Sequence, residues 1–489
     1  MLYLYIENPE FEYDINALVR EFYPYEEIKL LTGSEAKLSD YDIKAGVDLV
    51  VDITCEGDLY RIRHVTADGK MLNTEVSGLP EDHSERKSLV KAGLYSVLHD
   101  ATGQTMPWGT MTGIRPVKVF LNLMEQGKDD EEIKNTVKQK YLLSDEKTEL
   151  SMAVAKNEKK LLDRLDYEDG YSLYVGIPFC PSTCLYCSFT SYPVSAWKKR
   201  VDEYLDVLVE ELRYTAGLFK DKKLQTLYVG GGTPTALSAV QLDRLLGAIE
   251  SFFDVSELLE GTVECGRPDS IDRGKLESIK GHSFIDRISI NPQTMNDETL
   301  KLIGRLHTVE DVEQKFAMAR EMGFENINMD LIAGLPGENL ALMKNTLSKI
   351  AALKPDNLTV HSLAVKRAAR LKLEMDRYRD SLGADIAAEL SEASAAARDM
   401  GLEPYYLYRQ KNMAGNFENV GFAAPGKEGI YNILIMEEKQ TIAACGAGSI
   451  SKRVFADGHI ERCANYKDLI HYLEDKEVMI KRKKELFET

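Results

Sequence analysis

Between residues 171 and 365 the sequence alternates six times between a short apolar run and a stretch with helical spacing. The run YSLYVGIP is followed by apolar residues at helical spacing from Val201 to Leu212, and LQTLYVGGG is followed by a second helical stretch. Strands that alternate with helices are joined by right-handed crossovers into a parallel sheet. The sequence therefore predicts an α/β fold built on a partial (β/α)6 TIM-type barrel, with its chemistry at the carboxyl ends of the strands.

The segments on either side of this alternation have different patterns, and a chain of 489 residues is long enough for three domains. Residues 1–165 are predicted to form an N-terminal α+β extension with a β-hairpin that turns at Glu56–Asp58. Residues 166–375 would hold the barrel, and residues 376–489 a C-terminal strand-rich and helical region. In that last region we interpret five runs as short, largely antiparallel strands, between a helix near 382–400 and a charged helix at 467–488: EPYYLYRQ, IYNILIME, QTIAACGAG, SKRVFAD and HIERCA.

The composition argues against several classes of protein. The chain carries 61 basic and 79 acidic residues, a net charge of −18, whereas a nucleic-acid-binding face needs clustered Lys and Arg. The first residues lack the positive region and apolar core of a signal peptide, and no apolar run is long enough to span a bilayer. We therefore expect a cytoplasmic protein without a nucleic-acid partner. The seven cysteines are too sparse for a disulfide framework.

Three of the cysteines, Cys180, Cys184 and Cys187, form a CxxxCxxC run just after the first predicted barrel strand. Iron–sulfur clusters are held by Cys thiolates, and three thiolates can hold three irons of a cubane cluster and leave the fourth iron open. A structural zinc site is the alternative, but zinc needs a fourth ligand, usually from a second CxxC or HxxxH pair, and no such pair follows. The remaining cysteines are expected to be small buried residues: Cys55, Cys265, Cys445 and Cys463.

Glycine and polar residues stand at the ends of the later predicted strands. The run GGGTPT at 230–235 would let a ligand approach the backbone closely, although a tight strand-to-helix turn is the alternative interpretation. Glu264, Gln293 and Asp330 follow three further strands, and Arg305 lies twelve residues after Gln293. In a parallel barrel these positions converge on one mouth. Each residue alone could be a helix cap or a loop residue, so the prediction of a binding site depends on the ordered set.

The cysteine run, with Tyr186 before its last Cys, resembles the motif of the radical S-adenosylmethionine (SAM) superfamily. The longer run LYVGIPFCPSTCLYCSF resembles the oxygen-independent coproporphyrinogen III oxidase group within that superfamily. The N-terminal run WGTMTGIRPVK at 108–118 resembles the branch of that group often called HemZ, the coproporphyrinogen dehydrogenase-like proteins. The resemblance to the superfamily covers about 171–365, and the resemblance to the group extends to about 470.

The resemblance implies two cofactors, a [4Fe–4S] cluster held by Cys180, Cys184 and Cys187 and a SAM molecule on the open iron. It assigns catalytic roles to Tyr174 and Glu264, although Tyr174 could instead be a buried strand residue and Tyr186 could simply cap the core. The SAM-binding residues implied by the resemblance are Tyr174, Tyr186, Gly231, Gly232, Thr233, Glu264, Gln293, Arg305 and Asp330.

The same resemblance implies oxidative decarboxylation of coproporphyrinogen III propionates to vinyl groups, giving protoporphyrinogen IX in anaerobic haem biosynthesis. A reductant such as flavodoxin or ferredoxin would be a partner, and residues 376–489 would cover the tetrapyrrole. Because the substrate carries four propionates, a pocket for it needs cations. The candidates are Arg115, Lys118, Lys366, Arg367, Arg370, Arg409, Lys452 and Arg453.

One position departs from the best-known oxidases. They carry a further Cys two residues after the third cluster Cys, where this chain has Phe189, and the haem-chaperone branch also lacks that Cys. Two alternatives therefore stay open, a haem chaperone or trafficking protein without oxidase activity and another radical reaction on a tetrapyrrole. His307 and His361 are expected to be core or loop residues, and the run KRKK at 481–484 a solvated helix face. The sequence leaves the oligomeric state open.

Overall fold

The fold is that of a computed structural model, which describes residues 1–24, 26–35, 37–366, 368–378, 381, 385–409 and 417–488. The strands are β1 (Leu2–Ile6), β2 (Ile28–Thr32), β3 (Leu49–Glu56), β4 (Leu59–Val65), β5 (Met71–Val76), β6 (Gly170–Ile177), β7 (Phe179–Cys180), β8 (Tyr192–Pro193), β9 (Lys223–Gly231), β10 (Glu260–Glu264), β11 (Arg287–Ser289), β12 (Ile327–Ala333), β13 (Asn357–Ser362), β14 (Glu403–Arg409), β15 (Glu418–Ala423), β16 (Thr441–Cys445), β17 (Ile450–Val454) and β18 (Ile460–Ala464).

The helices are α1 (Glu12–Phe22), α2 (His83–Thr102), α3 (Val117–Glu125), α4 (Asp130–Tyr141), α5 (Asp145–Leu162), α6 (Val194–Trp197), α7 (Val201–Leu218), α8 (Ala239–Phe252), α9 (Arg273–Gly281), α10 (Asp297–Leu302), α11 (Val309–Glu321), α12 (Leu340–Leu353), α13 (Arg370–Leu373), α14 (Met375–Tyr378), α15 (Ile386–Asp399), α16 (Ile430–Glu437), α17 (Leu469–Glu474) and α18 (Lys476–Glu488). Short 3₁₀ helices lie at Pro9–Phe11, Leu38–Asp40, Lys198–Arg200, Pro234–Ala236 and Pro268–Ser270.

The chain divides into two compact units, Met1–Lys156 with Leu407–Glu418 and Asn157–Tyr406 with Asn419–Thr489. The finer domain boundaries at residues 165 and 375 stay a prediction. The first unit contains a five-stranded sheet of order β2-β1-β3-β4-β5, in which β1 is parallel to both neighbours and β3, β4 and β5 are antiparallel. The predicted hairpin is confirmed as β3 and β4, and Gly57 takes the positive φ of 61° that the turn requires.

The second unit is built on an eleven-stranded sheet of order β14-β15-β13-β12-β11-β10-β9-β6-β16-β17-β18. The six strands β6, β9, β10, β11, β12 and β13 are parallel to one another, which confirms the predicted α/β repeat of six units. Their residues are buried on both faces, as expected for strands that helices cover. The predicted apolar face of α7 is confirmed, since Tyr204, Leu205, Leu208 and Leu212 are fully buried.

The C-terminal region differs from its prediction in several elements. IYNILIME forms the helix α16, so the prediction of a strand there is wrong; short apolar runs rich in Ile are ambiguous between the two structures. β16 pairs in parallel with β6, so it extends the barrel sheet. The predicted antiparallel strands β17 and β18 are confirmed. The helix expected near 382–400 begins at Ile386, with 382–384 outside the described residues, and the tail forms two helices.

The expectation of a solvated KRKK face is wrong for one of its four residues. Lys483 is fully buried, whereas Lys481 and Lys484 are exposed. The expectation of buried cysteines holds for Cys265 and Cys445 and is wrong for the half-buried Cys55 and Cys463. Within the described ranges, no helix has the length and apolar character needed to cross a membrane.

Candidate functional site

The three motif cysteines lie on one loop, which begins where β6 ends and contains Cys180 in the short strand β7. Neighbouring backbone holds this loop in place, because the N–H of Leu185 donates to the carbonyl of Ile303 at 2.9 Å and the N–H of Tyr192 donates to Pro178 at 2.7 Å. The loop therefore occupies the carboxyl end of the first barrel strand, where a partial barrel carries its chemistry.

The three thiols are near enough to affect one another's pKa, but they do not form a metal-binding group. Burial raises the pKa of Cys180 to about 11, and Cys187 and Cys184 contribute to the rise. None of the three cysteines is in a disulfide. Among the described residues, no group of three or more His, Cys, Asp or Glu side chains is arranged to hold a metal ion. The loop supplies three thiols that are in no disulfide, and thiolates are the donor type that holds an iron–sulfur cluster.

Arg267 is a neighbour of this loop that the sequence did not single out. Its Nη1 donates to the Sγ of Cys184 at 3.4 Å, and its Nη2 donates to the Oγ of Ser182 at 3.0 Å. The guanidinium is buried and paired with Asp269 at 2.9 Å. Hydrogen bonds to cluster sulfurs tune reduction potential, so Arg267 is placed to influence any cluster held by Cys184.

The glycine loop after β9 packs against the cysteine loop. The N–H of Gly232 donates to the carbonyl of Ile177 at 2.7 Å, and the N–H of Thr233 donates to Phe179 at 2.8 Å. A Cβ on Gly232 would lie 3.0 Å from the Sγ of Cys180, and Gly231 has a φ of 108°. The glycines are therefore needed for this close approach, and the loop and the cysteines form one structure.

Glu264 lies at the end of β10 and shares its surroundings with three tyrosines. The OH of Tyr228 donates to its Oε1 at 2.5 Å. Desolvation raises the pKa of Glu264 to about 7, although bonds from Tyr228 and the backbone of Gly231 oppose the rise. The ring of Tyr228 stacks on Tyr431 at a centroid distance of 4.6 Å, and both rings lie near Tyr174 at 6.3 and 6.2 Å.

Arg305 and Tyr186 form a second pair at this end of the sheet. The Nη2 of Arg305 donates to the OH of Tyr186 at 3.1 Å, and its Nη1 donates to the carbonyls of Gly266 and Asn291. The Nε of Arg305 is buried and has no hydrogen-bond partner among the described residues. The guanidinium is thus fixed in place beside the cysteine loop, with its Nε left for a ligand.

Gln293 and Asp330 are brought together by their backbones. The N–H of Gln293 donates to the carbonyl of Asp330 at 2.9 Å, and Gln293 has the unusual φ of 71°. Burial tends to raise the pKa of Asp330, but the nearby His361 and the hydrogen bond from Asn328 outweigh it and hold the pKa below its usual range. The Nε2 of His361 lies 3.8 Å from this carboxylate, so the histidine faces a predicted site residue. His307, expected to be a core or loop residue, is buried beside Asp269.

The model of the radical SAM superfamily matches residues 174–350, a range that contains the cysteine loop, the glycine loop and the four polar residues Glu264, Gln293, Arg305 and Asp330. The chain is 38% identical over 490 residues to the oxygen-independent coproporphyrinogen-III oxidase-like protein HemZ of Bacillus subtilis, covering 95% of this chain and 94% of that protein. This chain belongs to the radical SAM superfamily. Within it, the chain falls in the oxygen-independent coproporphyrinogen III oxidase-like group.

Two other relatives of the group differ in what their names say they do. Over 309 residues the chain is 32% identical to the heme chaperone HemW of Bacillus subtilis, which covers 62% of this chain and 75% of that protein. Over 193 residues it is 35% identical to the oxygen-independent coproporphyrinogen III oxidase of Escherichia coli, covering 40% and 42%. The crystal structure of the Escherichia coli oxidase HemN matches with a TM-score of 0.52 at 24% identity, over 67% of this chain and 73% of that one, and shows the fold alone.

A radical SAM protein uses a [4Fe–4S] cluster and SAM, so the predicted cofactors are confirmed. The residues assigned to hold them stay a prediction. The structure brings the assigned residues to one end of the barrel sheet, and it adds Tyr228, Tyr431 and Arg267 to their surroundings. Tyr431 comes from α16, far along the chain, so the radical SAM motifs contain no signal for it.

The structure separates the candidate propionate-binding cations into different places. Lys366 lies beside the third cysteine: its Nζ is 5.6 Å from the ring centroid of the exposed Phe189, and it opposes the burial that raises the pKa of Cys187. Lys452 pairs with Glu438 at 3.1 Å. The remaining candidates are Arg115, Lys118 and the buried Arg409 in the first unit, Arg370 and Arg453 in the second unit, and Arg367, which lies outside the described residues.

Proposed function

We propose that this chain is an oxygen-independent coproporphyrinogen III oxidase, which converts two propionates of coproporphyrinogen III to vinyl groups and yields protoporphyrinogen IX. The observation that carries the proposal is that the predicted SAM-binding residues contact the cysteine loop. Gly232 packs against Cys180, and Arg305 donates a hydrogen bond to Tyr186, which lies between Cys184 and Cys187 in the sequence. We propose that the cluster, the nucleoside of SAM and the carboxylate-bearing substrate lie together beside these residues.

When bound, the cluster and SAM would supply a radical that takes a hydrogen atom from the β-carbon of a propionate. Loss of CO₂ and transfer of the remaining electron to an external one-electron acceptor would then leave a vinyl group. The chain positions these groups. Cys180, Cys184 and Cys187 are the proposed iron ligands, and Gly231, Gly232 and Thr233 would hold the methionine part of SAM.

The other proposed contacts to SAM and substrate come from two kinds of side chain, carboxylates and cations. Glu264 and Asp330 supply carboxylates that can accept hydrogen bonds from the ribose hydroxyls or the amino group of SAM. The free Nε of Arg305 can donate to a carboxylate, for which a permanently charged guanidinium is suited. Lys366 is the candidate cation for a substrate propionate because it lies beside Cys187.

One observation favours a second candidate, a haem chaperone that keeps the cluster without oxidase activity. Phe189 stands two residues after the third cysteine, and its side chain is 70% exposed. The exposed ring can stack on the flat macrocycle of haem, and the cation above it can contact a haem propionate. The same pair of side chains can also contact a porphyrinogen.

An anaerobic assay separates the two candidates. The cluster is reconstituted, and SAM, a reductant and coproporphyrinogen III are supplied. An oxidase forms 5′-deoxyadenosine together with protoporphyrinogen IX, whereas Cys184→Ala forms neither because it loses an intact cluster. Deoxyadenosine without any vinyl product would contradict the oxidase assignment and leave another radical reaction on a tetrapyrrole. Stoichiometric haem binding without either product would support the chaperone.

A further inference from the structure

The strand β11 presents polar side chains on the face of the barrel sheet that also carries Glu264. Arg287 and Ser289 of β11 pair with Thr262 and Glu264 of β10. Paired residues of parallel strands point to the same face, and side chains alternate between the two faces along each strand. Arg287 and Ser289 therefore share the face of Glu264, and by the same alternation Asn291 continues it just after the strand.

Each of these three side chains has a buried polar atom without a hydrogen-bond partner in the described part of the chain. The atoms are the Nε of Arg287, the Oγ of Ser289 and the Oδ1 of Asn291. The three residues are only 2%, 3% and 7% exposed. An unpartnered buried polar group costs a protein about 1–3 kcal/mol, and such groups are rare. A polar ligand bound on this face would supply the missing partners.

Arg287 is the charged member of this row. Among the described residues its guanidinium forms neither a hydrogen bond nor an ion pair, although the carboxyl groups of Glu260 and Asp330 are near. Glu260 accepts a hydrogen bond from the N–H of Tyr431 at 2.9 Å. Asp330 accepts one from the Nδ2 of Asn328 at 2.7 Å. The forked donors of Arg287 are therefore available to a carboxylate from outside the chain, the group that a guanidinium binds best.

The surroundings keep Arg287 charged and weaken the repulsion that a ligand carboxylate would meet there. Burial tends to lower the pKa of Arg287, but four neighbouring side chains raise it above its ordinary value: Tyr405, Glu260, Tyr228 and Asp330. Burial also raises the pKa of Glu260 and of Glu264, to about 7 for Glu264. Raised values reduce the negative charge that these two groups carry, so a further carboxylate on Arg287 is repelled less.

Arg287 lies one level of side chains below the residues proposed to bind SAM. Glu264 pairs with Ser289, and Arg287 is two residues earlier, which is about 7 Å along a parallel strand. Tyr228, which donates to Glu264, stands at the level of Arg287, since both pair with Thr262. A carboxylate on Arg287 would thus lie toward the amino ends of the strands, and the carbon chain that bears it would extend toward Glu264.

We propose that Arg287 binds the carboxylate of a tetrapyrrole propionate, with Ser289 and Asn291 as its polar neighbours on the same face. The inference rests on the proposed function, because it takes the ligand to be coproporphyrinogen III. By holding the carboxylate, the guanidinium points the β-carbon of that propionate toward the residues proposed to bind SAM. The sequence did not offer Arg287 as a propionate ligand, because it stands at the start of the buried-type strand run RISI.

The test compares two substitutions at Arg287 in the protein reconstituted with its cluster and supplied with SAM. Arg287→Lys keeps the charge but loses the fork, and Arg287→Met loses both. The control is Arg320→Lys, which changes an arginine of α11 that pairs with Asp356. The probes are coproporphyrin III, the stable oxidised form of the substrate, and its tetraamide, whose side chains are uncharged. Porphyrin fluorescence under anaerobic conditions measures binding of each probe, and equilibrium dialysis measures SAM affinity.

The parent should bind coproporphyrin III more tightly than the tetraamide. Arg287→Lys should lose roughly ten-fold in affinity for coproporphyrin III and Arg287→Met should lose more, in line with the loss of charge-assisted hydrogen bonds. Affinity for the tetraamide should change little in either variant. In Arg287→Lys the SAM affinity and the iron content should match the parent. Arg320→Lys should match the parent in every measurement.

Unchanged affinity for coproporphyrin III in both Arg287 variants would overturn the proposal. Equal losses for the two probes, or a parallel loss of SAM affinity in Arg287→Lys, would overturn it too, because Arg287 would then support the site rather than bind a carboxylate. If coproporphyrin binding depends on Arg287 but the parent forms no vinyl product, the proposed oxidase function alone fails. If the parent and Arg287→Lys form vinyl product equally well, the carboxylate site alone fails. A parent that binds neither probe would contradict both.

Discussion

At the scale of single residues, the charge on Glu264 depends on one neighbouring hydroxyl. Desolvation raises the pKa of this carboxyl to about 7, and the short bond from Tyr228 is the first interaction that opposes the rise. A carboxylate accepts hydrogen bonds more strongly when it is ionised. The affinity of the chain for a hydroxyl-bearing ligand at this position should therefore increase as the pH rises through about 7.

Replacing Tyr228 with Phe should weaken SAM binding at neutral pH. Without the hydroxyl, the pKa of Glu264 rises further and less of it is ionised, so we expect roughly a ten-fold loss of affinity, in line with a hydrogen bond to a charged group. The rise of affinity with pH should also move to higher pH. Equilibrium dialysis with SAM across this pH range measures both effects. Tyr171→Phe, a buried tyrosine that stacks on Phe219, is the control. A pH profile identical to the parent's would contradict a role for Tyr228.

Residues inside contiguous motifs were predictable from the sequence, and residues that act through the fold were not. The spacing of Cys180, Cys184 and Cys187 is enough to propose them as cluster ligands, and that assignment stays a prediction. Tyr228 lies in an apolar strand run where a tyrosine is unremarkable, and its role depends on the register that aligns it with Tyr174 on the neighbouring strand.

At the scale of elements, the loop after β9 is limited by how closely it approaches the cysteine loop. A Cβ on Gly232 would lie 2.7 Å from the carbonyl oxygen of Phe179 and 3.0 Å from the Sγ of Cys180. The first of these atoms is backbone and cannot move away without shifting β7. The glycine loop therefore helps to position the first proposed iron ligand.

Gly232→Ala should lower the amount of cluster that the protein holds after reconstitution. The added methyl pushes β7, and with it Cys180, away from the other two thiols. Iron and sulfide content per chain, together with the visible absorption of the cluster, are the measurements. Gly217→Ala in α7 is a matched control, because a Cβ there meets nothing within 4 Å. Full cluster content in Gly232→Ala would show that the loop tolerates the shift.

The helix α16 shows why one element could not be predicted. IYNILIME has the β-branched residues of a strand, yet Ile430, Ile433, Leu434 and Glu437 are buried at helical spacing. Its position is set by long-range contacts, since the N–H of Tyr431 donates to Glu260 at 2.9 Å. Local sequence contains no information about that partner.

At the scale of the whole molecule, a buried lysine links the C-terminal helix α18 to α7 of the barrel. The Nζ of Lys483 lies 3.0 Å from Glu211 of α7. Glu211 also accepts bonds from the N–H of Gly446 at 2.8 Å and the OH of Tyr472 at 2.6 Å. The helical spacing of α18 could have predicted the burial of Lys483, because this residue shares a face with the buried Met479 and Leu486.

Lys483→Met should destabilise the second unit by about 3–5 kcal/mol, because removing one partner of a buried ion pair leaves the other charge uncompensated. Denaturant unfolding followed by circular dichroism measures the change. Lys484→Met, exposed one position along the same helix, should leave the midpoint unchanged. Adding Glu211→Gln to Lys483→Met should recover part of the loss. Equal midpoints for Lys483→Met and Lys484→Met would show that the pair contributes nothing.

The pairing of β6 with β16 has a consequence for the order of events during synthesis. One edge of β6 pairs with β9, but on the other edge Tyr171–Val175 find their partners only when Thr441–Cys445 have been made, 270 residues later. At translation rates of about 5–20 residues per second, that edge of β6 stays open for roughly 14–54 s. An unpaired strand edge can pair with a wrong strand, and the cysteine loop directly follows this strand. We therefore expect the cysteine loop to reach its final position only after Cys445 has left the ribosome.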